Sequence, residues 1–250
     1  MAKQKRKKQR ASRRSHEALP ARQPSAEVEQ TLVRAEELIA ANRPTEAITL
    51  LEPLLNAYPR LVQVRYYFGL ACASAGDLWK AMDAYEGAMR LSRDPSLWLP
   101  LAWLYLDLEL DVHALQAFRQ ALRRREVGSE IDQVRGTVAD LEESLLEMSS
   151  NLACPVLQVE QGLRHLEEGI RALHRGDYAA SLAANRLAAR LLPAWPPARN
   201  NLSLALFFDG QPQEAIATAR QVLAQAPANI QALSNAIRFL AWTGRQAEDK

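Results

Sequence analysis

An all-α fold of antiparallel helix pairs, interrupted by one long added helix, is the fold class this sequence predicts. Three observations predict it. Gly176, Gly210 and Gly244 stand 34 residues apart, as do Pro193 and Pro227, while Ala47, Ala81 and Ala114 follow at 34 and then 33. Such a period marks a repeat architecture whose units cannot bury their apolar faces alone and therefore stack. The run Trp98-x-x-Leu101-Ala102-x-x-Tyr105, then Ala114-x-x-x-Phe118-x-x-Ala121, puts large and small residues at helical spacing on one helix and then on the next. Outside the period, Ile131, Val134, Val138, Leu141, Leu145, Met148 and Leu152 recur every three or four residues, as one stripe of a long helix.

The elements follow in order. A first unit covers about 28–61, with Leu38, Ala47, Leu51, Leu54 and Pro59. A second covers about 62–94, with Phe68-Gly69, Gly76-Asp77, Ala81, Tyr85 and Ala88. The third, about 95–126, holds the run quoted above; with Ser96 as N-cap, Pro100 falls in the first helical turn, where it costs little. The added helix follows, with Ser129 as its expected cap and Pro155 after its end. A fourth unit spans about 162–195, with Gly169, Gly176-Asp177-Tyr178, Ala188 and Pro193. A fifth spans about 196–229, with Leu202, Gly210, Ala215 and Pro227, and one more helix starts near Ile230. Small residues let paired helices approach, large ones fill the grooves, Gly accepts the left-handed turn and Pro stops the second helix. The resulting division is a basic arm at 1–26, three units at 27–126, the long helix and the start of the next at 127–161, and two units plus a terminal helix at 162–250.

At seven positions the Trp98–Ala121 pattern resembles the tetratricopeptide family, with Ala102 where that family prefers Gly. The first unit lacks the aromatic and Gly signature, and Ser181 and Asn185 stand where Ala and a large residue are usual. The resemblance implies a right-handed superhelix, an α-solenoid, whose first helices line a concave groove for a protein or peptide. Carried over by position, the groove residues are Tyr66, Tyr67, Leu70, Leu99, Trp103, Leu106, Asp107, Leu166, Glu167, Ile170, Asn200, Asn201, Leu204, Phe207, Phe208, Ser234, Asn235, Arg238 and Trp242. Those expected to carry binding are Tyr66, Leu70, Trp103, Asn200, Asn201, Phe208, Asn235 and Arg238. Asn201 and Asn235 lie 34 residues apart and resemble two rungs of the asparagine ladder of some glycosyltransferases, since an amide both donates to and accepts from an extended backbone. The other reading is that they cap or solvate their helices. The Lys, Asn and Arg clamp of the family's chaperone-binding members is not reproduced, because these grooves lack Lys.

The chain has 250 residues, 48% hydrophobic and 24% charged, an ordinary composition for a helical protein. Its net charge of +2 conceals a split. Residues 1–26 hold nine Lys or Arg against Glu17 alone, a net of +8, which leaves −6 on the remainder. The arm is expected to be disordered in isolation, because it has no periodic apolar residues and contains Pro20 and Pro24. Lys3, Lys5, Arg6, Lys7, Lys8, Arg10, Arg13 and Arg14 suit phosphates: RNA, DNA or an anionic membrane surface. The alternative is a solubilising terminus without a dedicated partner. The arginine- and alanine-rich body suggests a GC-rich, bacterial genome.

No Gly-rich phosphate loop, Cys-x-x-Cys pair or His-Glu-x-x-His motif occurs, so the chain reads as non-enzymatic, with no cofactor and no metal. His165 and His174 are two and a half helical turns apart and do not share a ligand; exposed or capping roles are expected for the histidines. Cys72 reads as a buried reduced thiol. With no export signal and no apolar run of membrane length, a cytoplasmic location is expected. The function implied is a protein- or peptide-binding scaffold; the alternative is a nucleic-acid- or ribosome-associated protein held by its arm. In the terminal helix, Ile230, Leu233, Ile237 and Leu240 form the stripe expected to pack on the fifth unit. Phe239 and Trp242 fall off it, so weak end-to-end self-association through that pair, or a natural chain running past Lys250, is expected.

Overall fold

The computed structural model describes residues 25–92, 94–124 and 127–248; the basic residues Lys3 to Arg14 lie outside them. All regular structure among the described residues is helical, in two bodies divided after Leu97. The first body holds α1 (Ala26–Ala40), α2 (Pro44–Ala57), α3 (Val62–Ser74) and α4 (Leu78–Leu91). The second holds α5 (Trp98–Asp107), α6 (Asp111–Arg124), α7 (Ile131–Leu152), α8 (Val156–His174), α9 (Tyr178–Leu191), α10 (Pro196–Phe208), α11 (Pro212–Gln225) and α12 (Ile230–Glu248). The hairpins are α1/α2, α3/α4, α5/α6, α8/α9 and α10/α11, with α7 between the third and fourth and α12 after the fifth.

One turn geometry closes the first helix of all five. Asn42, Gly76, Glu109, Gly176 and Gly210 each take a positive φ, between 56° and 81°. The next amide reaches back to a carbonyl five residues earlier, as in Arg43 N–H to Leu38 O (2.8 Å), Asp77 to Cys72 (2.9 Å) and Gln211 to Leu206 (2.9 Å). This is the Schellman closure, which satisfies carbonyls that the helix end leaves unpaired. Only three of the five positions are glycine, so the Gly period under-reads the repeat: Asn42 and Glu109 hold the same turn. Gly244 is the opposite case, because it lies inside α12, which runs on to Glu248.

Each second helix also needs its first amides satisfied, and the chain uses three solutions. Asp77 and Asp177 cap α4 and α9, accepting the amides of Lys80 (3.3 Å) and Ala180 (3.0 Å). Pro44 and Pro212 open α2 and α11, where a missing N–H costs nothing. The residue before α6 is Leu110, which has no side-chain acceptor. There the cap comes from α8: Glu167 accepts the Val112 amide at 2.8 Å and the His113 amide at 3.0 Å.

Close approach within a hairpin explains the departures in the fourth unit. A Cβ on Gly169 would lie 2.3 Å from Asn185 Nδ2, so Asn185 occupies the room the glycine leaves. Ser181 donates to Gly169 O at 2.8 Å, and Asn185 donates to Ser181 O at 2.9 Å. In the first body, a Cβ on Gly69 would meet the Tyr85 ring at 2.9 Å.

The inward face of α7 is the stripe from Ile131 to Leu152, with Val134 and Leu145 buried. Leu145 joins Val112 and Leu115 of α6, Val159 and Leu166 of α8, Ala188 of α9 and Ala198 of α10 in one core. Arg119 of α6 pairs with Glu142 of α7 at 2.8 Å. Two capping expectations are corrected. Ser129 lies in a short 3-10 turn, Gly128–Glu130, and the residue before α7 is Glu130, which makes no side-chain cap. Ser96 is not a cap either, because its amide and hydroxyl both donate to Asp94 Oδ1, at 3.0 and 2.7 Å.

The terminal helix is corrected more deeply. Among its described side chains, Ala232, Asn235, Ala236 and Phe239 are buried, while Ile230, Leu233, Ile237 and Leu240 are exposed. Phe239 is fully buried and stacks on Phe207 of α10, with centroids 4.4 Å apart. Ala232 and Ala236 leave space for the neighbouring helices to come close, which the branched stripe would not.

Candidate binding surface

Several expected groove residues are used inside the protein. Asn200 is buried, and its Nδ2 donates to Asn229 Oδ1 (3.1 Å) and Gln231 Oε1 (3.3 Å). Asn235 is buried too, donating to Ser203 Oγ at 3.2 Å and Asn200 O at 3.4 Å. These contacts tie α12 to α10. Asn201 is half-buried, so the two residues expected as rungs stand in different environments. Trp103 is half-buried, set edge-on to Phe118 at 4.7 Å, and donates through Nε1 to Glu130 at 3.2 Å. In the first body, Tyr66 and Leu70 are half-buried, and Tyr66 stands edge-on to Tyr67 at 5.4 Å. Arg238 is exposed.

Glu167, also expected in the groove, is buried as the α6 cap, and its Oε2 lies 2.5 Å from His113 Nδ1. Arg171 Nη1 is 2.6 Å from His113 Nε2, and its guanidinium carbon sits 5.7 Å from the Tyr105 ring centre. A guanidinium only donates, so Nε2 accepts and Nδ1 donates to Glu167. His113 therefore bridges a buried acid and a base, neither exposed nor capping. The cluster joins α6 to α8.

One open cluster is aromatic. Phe208, the last residue of α10, is 44% exposed and stacks on Tyr178, the first residue of α9, at 5.5 Å with 20° between planes. Phe207 stands edge-on to Phe208 at 5.7 Å and to Trp242 of α12 at 5.3 Å. Tyr178 and Trp242 are exposed as well. Four rings from three helices thus form a ledge at the turn end of α10, anchored from below by Phe239. Tyr178 was not among the expected surface residues, because it belongs to a second helix; its clue was the Gly176-Asp177-Tyr178 turn, equivalent to Gly76-Asp77-Leu78. Rigid rings with exposed faces bury area on binding at little entropic cost.

Cys72 is buried, and burial pushes its thiol up to about 11, with Asp77 adding to the effect, so it is no nucleophile at neutral pH. No helix among the described residues is long and apolar enough to cross a membrane.

No protein-family model matches the chain, and no curated protein matches it. Solved structures do. The Cut9-Hcn1 hetero-tetramer of APC/C matches at 18% identity and TM-score 0.42, over 84% of this chain and 42% of that one, so this chain spans less than half of its length. The TPR2AB domain of yeast Sti1, in its complex with pHSP90, matches at 14% identity and TM-score 0.42, over 88% and 85% of the two chains. The TPR domain of P58(IPK) matches at 15% identity and TM-score 0.45, over 90% and 68%. The period, the turn geometry common to the five hairpins and the close approaches at Gly69 and Gly169 are this chain's own evidence, and they show a repeat of antiparallel helix hairpins.

Proposed function

We propose that the chain is a non-enzymatic scaffold whose hairpins bind a protein or peptide segment, and that in the second body the ledge of Tyr178, Phe207, Phe208 and Trp242 is the main contact. The observation that carries this reading is the joint exposure of three rings around Phe207, held together by ring contacts from three helices. Aromatic anchors of this kind dominate binding energy where they meet a complementary pocket or chain. Of the residues expected to carry binding, Asn201 and Arg238 are the two in that body open enough to add polar contacts; Tyr66 and Leu70 would serve a segment on α3 of the first body. A lysate pull-down with the whole chain, against Tyr178→Ala with Phe208→Ala, tests it. A partner recovered by the wild type and lost by the variant, with helicity unchanged, supports the ledge. Equal recovery by both sinks it. Recovery that depends on residues 1–24, contains RNA and falls steeply with salt would instead favour the arm.

A further inference from the structure

The exposed stripe of α12 has a counterpart in every hairpin. Thirty-four residues before Ile237 stands Ser203, and 34 before that Gly169; Gly69, Ala102 and Ala35 hold the same place in α3, α5 and α1. All five are buried. In the hairpins of Gly69 and Gly169 the contact is with the second helix, through Tyr85 and Asn185. In α12 the equivalent face is open: Ile237 is 60% exposed and Ile230 82%, with Leu233 and Leu240 also exposed. Among the described residues no second helix lies over it, since α12 passes Gly244 without turning.

A hairpin-type helix does not fit this face. The five equivalents are Ala, Gly, Ala, Gly and Ser, which admit a backbone at close range, whereas Ile237 is branched and large. A helix laid here must stand further off and interleave its side chains. Ile230, Leu233, Ile237 and Leu240 are spaced three, four and three, with a β-branched residue at the first and Leu at the fourth position of each heptad. That is the seam of a two-stranded coiled coil. The spacing reads the same in both directions, so the stripe matches a copy of itself. Arg238 is the single charge in residues 230–241, and it flanks the stripe, as do the small residues Ser234 and Ala241. A twofold contact through the stripe therefore opposes no row of like charges. The helix is already held through Ala232, Asn235, Ala236 and Phe239 on its other side, so pairing has little left to order. Residues 1–24 have no apolar stripe to lay in the same place.

We infer that α12 is a homodimerisation helix, its Ile230–Leu233–Ile237–Leu240 stripe pairing with the same stripe of a second copy. Sedimentation velocity of the full chain across a wide concentration range tests this. The wild type should pass from monomer to dimer as concentration rises, while Leu233→Lys with Ile237→Lys should remain monomeric with an unchanged helical circular dichroism signal. Leu233→Gln with Ile237→Gln is the milder variant should the lysines disturb folding, and it should weaken the dimer in the same direction. A wild type that stays monomeric throughout overturns the inference, and so does a double variant that dimerises as the wild type does. A chain lacking residues 1–24 should dimerise normally; loss of the dimer there would assign the contact to the basic arm and overturn it equally. Phe208 lies off the stripe, so Phe208→Ala leaves this association intact whatever it does to partner binding.

Discussion

The Glu167 carboxylate caps a helix to which it is not joined: its Oε1 accepts the Val112 amide of α6 at 2.8 Å, from α8. The long insertion α7 separates the two helices in sequence, and this contact locks them together in space. Replacing Glu167 with Ala takes the carboxylate from the Val112 amide, the His113 amide and the His113 ring at once. Breaking a buried charged partner costs about 3–5 kcal/mol. Glu167→Ala should lower the stability of the second body by that order in urea denaturation, and Glu167→Gln by less. A loss below about 1 kcal/mol, the scale of an exposed cap, would contradict the buried role.

The contact of Gly169 with Asn185 predicts a coupled pair. Gly169→Ala inserts a methyl where Asn185 Nδ2 stands 2.3 Å away, an overpacking expected to cost about 1–3 kcal/mol. With Asn185→Ala also present, the methyl has room and part of the loss should return. A double-mutant cycle reads the coupling directly; additive losses would show that the two residues do not compete for space.

Glu109 holds the left-handed turn position at φ 57° that glycine holds in three other hairpins. A left-handed backbone costs a residue with a Cβ roughly 1–2 kcal/mol, against which glycine's greater unfolded freedom must be set. Glu109→Gly should therefore raise the melting temperature slightly, by an amount worth up to about 1 kcal/mol. Gly210→Ala, at φ 81°, should lower it.

The α12 register makes neighbouring apolar residues unequal. Phe239→Ala removes a fully buried ring and should cost about 3–5 kcal/mol. Ile237→Ala, on the exposed stripe, should change monomer stability by less than about 0.5 kcal/mol. Thermal denaturation at low protein concentration distinguishes them, and equal effects would refute the register.

Burial raises the Cys72 thiol from 9.0 to about 11, so the folded state holds this proton more tightly than the unfolded chain. The sign follows: the contribution is complete below about pH 9 and is lost as pH rises toward 11. Stability of the first body should fall across that window, and Cys72→Ala should flatten the fall. An unchanged slope in the variant would assign the alkaline loss to other groups, such as Tyr85, which burial also raises.

The sequence by itself determined the helices, their pairing and the place of the insertion. A turn every 34 residues, a Pro after the second helix and a three-four apolar rhythm are local constraints, so they are legible wherever the residues that meet them are distinctive. Asn42 and Glu109 escaped because a turn can be forced on a residue by the helices it joins. The aromatic ledge was legible only in part: Phe207, Phe208 and Trp242 were named, while Tyr178 was not, and Asn200, Asn235 and Glu167 proved to be internal. Position in a repeat says which way a side chain starts, but not whether a neighbour meets it with a partner.

Only the tertiary structure decided which side of α12 faces in. That helix carries two apolar rows, Ile230–Leu233–Ile237–Leu240 and Ala232–Ala236–Phe239, and helical periodicity permits either. The richer row loses, because contact with α10 and α11 demands small residues at the crossing and one flat ring against Phe207. Hydrophobicity sets how much a face gains by burial, but the shape of the surface it meets selects the face.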